Sequence, residues 1–187
     1  MLAAGAEQYT IRRIRLINFH NFVDETIEIR NGGHLFLLGD NASGKTTLLD
    51  AVHYVLTAGE SMEFNSAARI AGSREEGRRI QGVILRYNVD TGPLNPAGGV
   101  TYAALEICGR HGTPTTIAVG MRAGGMDEKV HRWGIIRECP LERIPFLVPE
   151  LQGCRPASRE EIRDAFGSAS GYFANITVYQ REVANRF

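Results

Sequence analysis

Lysine is nearly absent from this chain. Of its 21 basic residues only Lys45 and Lys129 are lysine, and the other 19 are arginine. They are balanced by 21 acidic residues, so the formal net charge is zero and no overall field favours a polyanionic partner, although local patches stay open. Cysteine is scarce as well. Cys108, Cys139 and Cys154 are widely and unequally spaced, which suits neither a disulfide framework nor a zinc site. Buried thiols in a reducing compartment are the expectation. The five histidines form no ligand-spaced cluster. No hydrophobic run approaches a membrane span, and residues 1–6 are too short for a signal-peptide core, so a cytoplasmic location is expected. Asn175-Ile176-Thr177 has the form of a glycosylation sequon, but nothing else points to secretion. At 187 residues the chain has the size of one domain and can bury a real core.

Against these absences stands one complete motif. Residues 39–47 read Gly-Asp-Asn-Ala-Ser-Gly-Lys-Thr-Thr, a full G-x-x-x-x-G-K-[ST] loop. Gly39 and Gly44 let the backbone curl so that successive N–H groups of Asp40, Asn41, Ala42, Ser43 and Gly44 point at a phosphate chain. A helix opening near Gly44 adds the positive end of its dipole. Lys45 is placed to reach β- and γ-phosphates, the Thr46 hydroxyl to bind Mg²⁺, and Thr47 to line the same turn. That one of two lysines falls here fits a site that needs a compact ammonium rather than a planar fork. The flanks agree. His34–Leu38 is a short continuous apolar run, expected to be a strand buried on both faces. Leu48, Leu49, Val52, Val55 and Leu56 recur at helical spacing up to Gly59.

Two strands are expected before the loop, at Ile11–Phe19 and Glu25–Ile29, and residues 60–82 form a polar excursion rich in Arg, Glu, Ser and Gly. Val83–Val89, Val100–Cys108, Thr115–Met121 and Val130–Arg137 then read as strands joined by turn-rich connections, which implies antiparallel pairing. After a Pro-punctuated linker, Ser158-Arg159-Glu160-Glu161 is a capping box opening a helix through Phe166. Ile176–Tyr179 is expected to be a last strand, and the chain is helical from Gln180. A P-loop NTPase also needs a second acidic residue at the end of an apolar strand to hold Mg²⁺ and the attacking water. No such run is present. Ala103-Ala104-Leu105-Glu106 comes nearest, and its Glu is expected to be a structural surface residue. No guanine-reading Asn-Lys-x-Asp occurs either. The chain carries half of an active site.

That pattern resembles the N-terminal head half of SMC and RecF-like ABC-type ATPases: an α/β P-loop NTPase lobe, here residues 1–187, with an antiparallel β subdomain at about 83–137. Asn18-Phe19-His20-Asn21-Phe22 is similar to the family's opening, and Leu37–Ala51 to its extended P-loop and first helix. Phe64–Ala68, Trp133-Gly134, Ile144-Pro145-Phe146 and Tyr179–Val183 are similar to the SMC-like subunits of Muk-type condensins, closest to the JetC-type subunits of Wadjet plasmid-defence systems. One departure is Ala42, where many members have Gly.

The resemblance implies an ATPase using ATP and Mg²⁺, complete only with a C-terminal lobe of the same protein and a second head in a homodimer. The isolated lobe is expected to be inactive. It also implies Gln180 as the glutamine sensing Mg²⁺ and γ-phosphate, residues 181–187 as the base of a coiled-coil arm, kleisin-type accessory subunits, and double-stranded DNA to engage, translocate or extrude, in plasmid defence or chromosome organisation. Arg69, Arg74, Arg78 and Arg79 are candidate phosphate contacts in the polar excursion, part-neutralised by Glu75 and Glu76. On the first strand, Arg12, Arg13 and Arg15 have similar ambiguity, and Arg12 or Arg13 is placed to approach the nucleotide. Two other classes remain: a non-hydrolysing nucleotide-binding assembly module, and a small-molecule or nucleotide kinase. The kinase fits poorly with a P-loop that starts at residue 39 and is followed by strands.

Overall fold

The computed structural model describes residues 9–29, 34–40, 43–59, 79–88, 92–95, 99–109, 112–168 and 170–187. In chain order the elements are β1 (Thr10–Phe19), β2 (Phe22–Glu28), α1 (Lys45–Thr57), α2 (Ile80–Ile84), β3 (Tyr87–Asn88), β4 (Gly92–Pro93), β5 (Val100–Cys108), β6 (Thr115–Arg122) and β7 (His131–Arg137). A 3₁₀ turn at Leu141–Arg143, β8 (Leu147–Glu150), β9 (Gly153–Pro156), α3 (Arg159–Phe166), β10 (Tyr172–Phe173) and α4 (Ile176–Arg186) follow. The frame is a six-stranded antiparallel sheet in the order β10-β7-β6-β5-β1-β2. The expected strands at Val100–Cys108, Thr115–Met121 and Val130–Arg137 are its β5, β6 and β7.

Both faces of this sheet are covered. On the first, Leu16, Leu105, Val119 and Ile136 pack against Leu48, Tyr54 and Val55 of α1, Val83 and Ile84 of α2, and Tyr179 and Val183 of α4. On the second, Ile17, Tyr102, Trp133 and Ile135 pack against Leu141, Ile144 and Phe146 of the connecting segment and Ile162 and Phe166 of α3. Because both sides are dry, β5 is buried along nearly its whole length, and its sequence shows no clean alternation.

β1 serves both faces by breaking its alternation twice. Its register against β5 shifts between Ile11 and Arg13, a bulge that puts both Ile11 and Ile14 on the first face. Further on, Asn18 adopts φ 51°, so that Leu16 and Phe19, three residues apart, both return to the first core.

Four expectations need correction. Val83–Val89 is not one strand: Ile80, Val83 and Ile84 recur at helical spacing, α2 buries Val83 and Ile84, and among the described residues of this span only Tyr87–Asn88 is a strand. Ile176–Tyr179 is not a strand but the first turn of α4. The β-branched run is overridden because Asn175 caps the helix, accepting from the Thr177 amide at 2.9 Å, and because Tyr179 and Val183 meet the core at i, i+4 spacing. The Pro-punctuated linker contains the β8–β9 hairpin, with Pro149 and Pro156 within its strands. The polar excursion ends earlier than expected, at α2; its residues 60–78 lie outside the described ones.

His34–Leu38 departs from expectation as well, beyond those four. This segment has no regular structure, and Phe36 and Leu38 are 80% and 91% exposed. A doubly buried strand needs hydrogen-bonding neighbours on its edges, and none of the described strands pairs with it. The capping box at Ser158 forms as expected: its hydroxyl accepts from the Glu161 amide at 3.2 Å, and the Glu161 carboxylate accepts from the Ser158 amide at 2.7 Å.

Candidate phosphate-binding site

α1 begins at Lys45 directly after Gly44, which sits in the left-handed region at φ 93°. No side chain caps this end, and the first main-chain bond runs from the Leu48 amide to the Gly44 carbonyl at 3.0 Å. The amides of Lys45, Thr46 and Thr47 therefore have no helical acceptor and point out of the helix start, together with the positive end of its dipole. Gly39 opens the loop at φ 150°. A Cβ there would lie 2.8 Å from Ser43 Oγ, and one at Gly44 would lie 2.8 Å from Asn21 Nδ2 and 3.2 Å from Phe22 Cζ. The positive φ at both positions favours glycine, and a Cβ at either would also displace a neighbouring side chain.

The Lys45 ammonium curls back into this loop. Its Nζ donates to the Gly39 and Asp40 carbonyls, both at 2.6 Å, and to Ser43 Oγ at 3.2 Å. Asp40, Ser43 and Thr46 are exposed, and Thr47 is half-buried. Asn41 and Ala42 lie outside the described residues. An uncapped helix start, a cation beside it and the hydroxyls of Ser43, Thr46 and Thr47 fit a chain of phosphates with a hydrated divalent cation on Thr46. Among the described residues no cluster of three or more His, Cys, Asp or Glu could hold a metal ion.

The tip of the β1–β2 hairpin abuts this loop, a contact that sequence reasoning did not anticipate. Asn21 and Phe22 sit against Gly44. His20, at φ 52°, donates its amide to the Val83 carbonyl at 3.0 Å, and Arg86 Nε donates to the His20 carbonyl at 2.7 Å. The available signal was a His-Asn pair between two strands, residues that tolerate the left-handed turn.

The remaining candidates are scattered. Gln180 is half-buried inside α4 rather than at a strand–helix junction. Arg13 is committed elsewhere: its Nε donates to Glu106 at 3.0 Å, and its terminal nitrogens pair with Glu106 and Glu142. The hydrogen bond from Arg13 pulls the Glu142 carboxyl below its ordinary value. Glu106 is structural, as expected, but buried rather than on the surface, and it also accepts from the Leu141 amide at 3.1 Å. Arg15 pairs with Asp24 at 3.1 Å, and Arg12 is half-buried at the bulge. Arg69, Arg74 and Arg78 lie outside the described residues, while Arg79 faces Asp127 at 3.7 Å with both side chains exposed. Cys139 is buried, Cys108 half-buried and Cys154 exposed, and all three are free thiols. No helix among the described residues is long and apolar enough to cross a membrane.

Fold and loop together define a P-loop NTPase carrying an antiparallel sheet. Residues 11–71 match the family described as the P-loop containing region of AAA domain. Within that class the chain is 32% identical over 149 residues to the DNA replication and repair protein RecF of Brucella abortus (strain 2308), covering 79% of this chain and 33% of that protein. RecF of Geobacillus sp. (strain WCH70) is 31% identical over 78 residues, 42% of this chain and 20% of its own length. These matches relate the chain to RecF-type P-loop proteins. The chain spans about a third of the length of the Brucella abortus relative, 33%. A solved structure from work on ATP-driven dimerisation and DNA-stimulated activation of SMC ATPases aligns over 84% of this chain and 77% of its own, with 18% identity and a TM-score of 0.39. That likeness is too loose to bear on function.

Proposed function

We propose that this chain is the ATP-binding N-terminal lobe of an SMC/RecF-like ATPase head that couples ATP binding and hydrolysis to work on DNA. The observation that carries the reading is the Lys45 ammonium curled into a loop whose helix start has no cap. In that role Lys45 neutralises β- and γ-phosphate oxygens, the amides of residues 44–47 hold the phosphate chain, and Thr46 holds Mg²⁺. The bound cation supplies charge neutralisation for phosphoryl transfer. Gln180 is the proposed γ-phosphate and Mg²⁺ sensor, and residues 181–187 are the proposed root of a coiled-coil arm.

The lobe does not hydrolyse ATP alone on this reading. The exposed apolar run at Leu35, Phe36 and Leu38 is suited to a strand from the C-terminal lobe, which would bring the missing acidic residue, and a second head would close the site. The name of the RecF relatives supports a DNA-related role. Double-stranded DNA as partner, contacts through Arg74, Arg78 and Arg79, kleisin-type subunits, a cytoplasmic setting and a role in plasmid defence of the JetC type are finer parts of the same proposal.

Lys45→Ala in the full-length protein tests it. ATP turnover is expected to vanish, together with any ATP-dependent DNA activity, because the only cation within the loop is gone. Unchanged turnover, with contaminating ATPases excluded, would sink the assignment of residues 39–47.

A further inference from the structure

The carboxyl end of α1, opposite the phosphate loop, is closed by side chains from distant parts of the chain. The last carbonyls of an α-helix have no intrahelical donor and need one from elsewhere. Here the Tyr179 hydroxyl of α4 donates to the Val55 carbonyl at 2.8 Å, and Arg132 of β7 donates to the Ala58 carbonyl at 3.3 Å. Tyr179 is fully buried, and that burial pushes its phenol pKa up, so the hydroxyl stays a donor over any working pH. Its ring packs against β7, where a Cβ on Gly134 would come within 2.2 Å of Tyr179 Cδ2. One turn on, Val183 enters the same core.

Tyr179 is thus wedged between sheet and helix, with one directional bond to the element that carries the phosphate loop. A helix of 13 residues is about 20 Å long and moves as a stiff rod. A shift of α1 on engaging phosphates at Gly44 must therefore move the Val55 carbonyl against Tyr179, or carry α4 along with it.

We propose that Tyr179 is a positioning residue that locks α4, and with it the adjacent Gln180, to the nucleotide-binding helix, so that occupancy of the loop at Gly44 is transmitted to α4. The proposal rests on the function argued above but concerns a residue and a contact outside the phosphate loop.

Tyr179→Phe in the full-length protein keeps the ring and removes only the hydroxyl. Tyr102→Phe is the matched control: its hydroxyl donates to the Ala157 carbonyl at 2.7 Å, is equally buried, and lies in the opposite core away from α1. Both variants are expected to lose similar thermal stability, since each leaves one buried carbonyl unsatisfied. Only Tyr179→Phe is expected to lower kcat, about tenfold, with the KM for ATP within about twofold of wild type. It should also abolish the ATP-dependent change in amide exchange along residues 176–187. Wild-type kcat and wild-type exchange in Tyr179→Phe would overturn the proposal. So would an equal kcat loss in Tyr102→Phe, which would make the effect general softening. A wild-type protein without ATP turnover would sink the function reading itself, and this proposal with it.

Discussion

On the second face of the sheet, Tyr102 meets Trp133 edge-on at 5.8 Å and Phe146 at 5.1 Å. The segment that covers them is pinned by Glu106, which holds Arg13 and the Leu141 amide, and by Arg155, which pairs with both Glu150 and Glu161. The first face buries α1, α2 and α4 equally well, yet around the phosphate loop it leaves Phe36 80%, Leu38 91% and Leu49 60% exposed. On the second face the covering segment is tied down by ion pairs and hydrogen bonds from within the chain, although Leu151 at the hairpin turn is fully exposed. The other leaves Phe36, Leu38 and Leu49 exposed near the phosphate loop. On the reading proposed above, the side carrying the phosphate loop is the one that awaits a partner lobe.

The largest expected effect lies on the closed side. Glu106→Ala strips the buried partner from Arg13, leaves it only the 63% exposed Glu142, and leaves the Leu141 amide without its acceptor. A loss of about 3 kcal/mol in denaturant unfolding is expected, with nucleotide affinity unchanged. A loss under about 1 kcal/mol would show that the ion pair is not what secures this face.

On the open side the same kind of experiment should do almost nothing to the fold. Phe36→Ser with Leu38→Ser is expected to change the stability of residues 1–187 by no more than about 0.5 kcal/mol. Binding to a separately expressed C-terminal lobe should instead weaken by at least about tenfold, the scale of two apolar side chains no longer buried. If the double variant unfolds the chain, or binds the lobe normally, the contrast between the faces fails.

The smallest effect is a pH response confined to the closed side. The Arg155 hydrogen bond, helped by the Ser158 amide, holds the Glu161 carboxyl down to about 2. In the unfolded chain that group protonates near its ordinary value of about 4.3. Its contribution is therefore complete above that value and is lost as pH falls toward 2. Chemical shifts of the β8–β9 hairpin and the first turn of α3 should move in this window. A Glu161 carboxyl titrating near 4 would remove the argument.

What the sequence disclosed follows the same division between local and distant causes. The phosphate loop, β5 to β7 and the Ser158 capping box were legible because glycine placement, turn residues and an S-x-x-E spacing act over a few residues. The identity of α4 was not: Ile176, Thr177 and Val178 favour extended backbone, and only the Asn175 cap together with the burial of Tyr179 and Val183 selects a helix. His34–Leu38 misled for the opposite reason, since a strand exists only beside a partner and composition cannot say whether one is at hand. Glu106 was correctly taken as structural, but its burial depends on Arg13 and Leu141, 93 and 35 residues away. In the candidate site, the reach of Asn21 and Phe22 to Gly44 was invisible because the contact closes between separate elements.

The two breaks in β1 have a consequence for how this strand tolerates change. Between the bulge at Arg12 and the left-handed Asn18, positions facing the first and the second core follow one frame; before and after, they follow another. Replacing a residue disturbs one position, whereas removing one would exchange the two faces along the whole span and set Arg13 and Arg15 where Ile14 and Leu16 now lie. A one-residue insertion or deletion within this span therefore disturbs more positions than a substitution does, and a comparison of relatives that slides it by one residue would exchange the residues of the two faces.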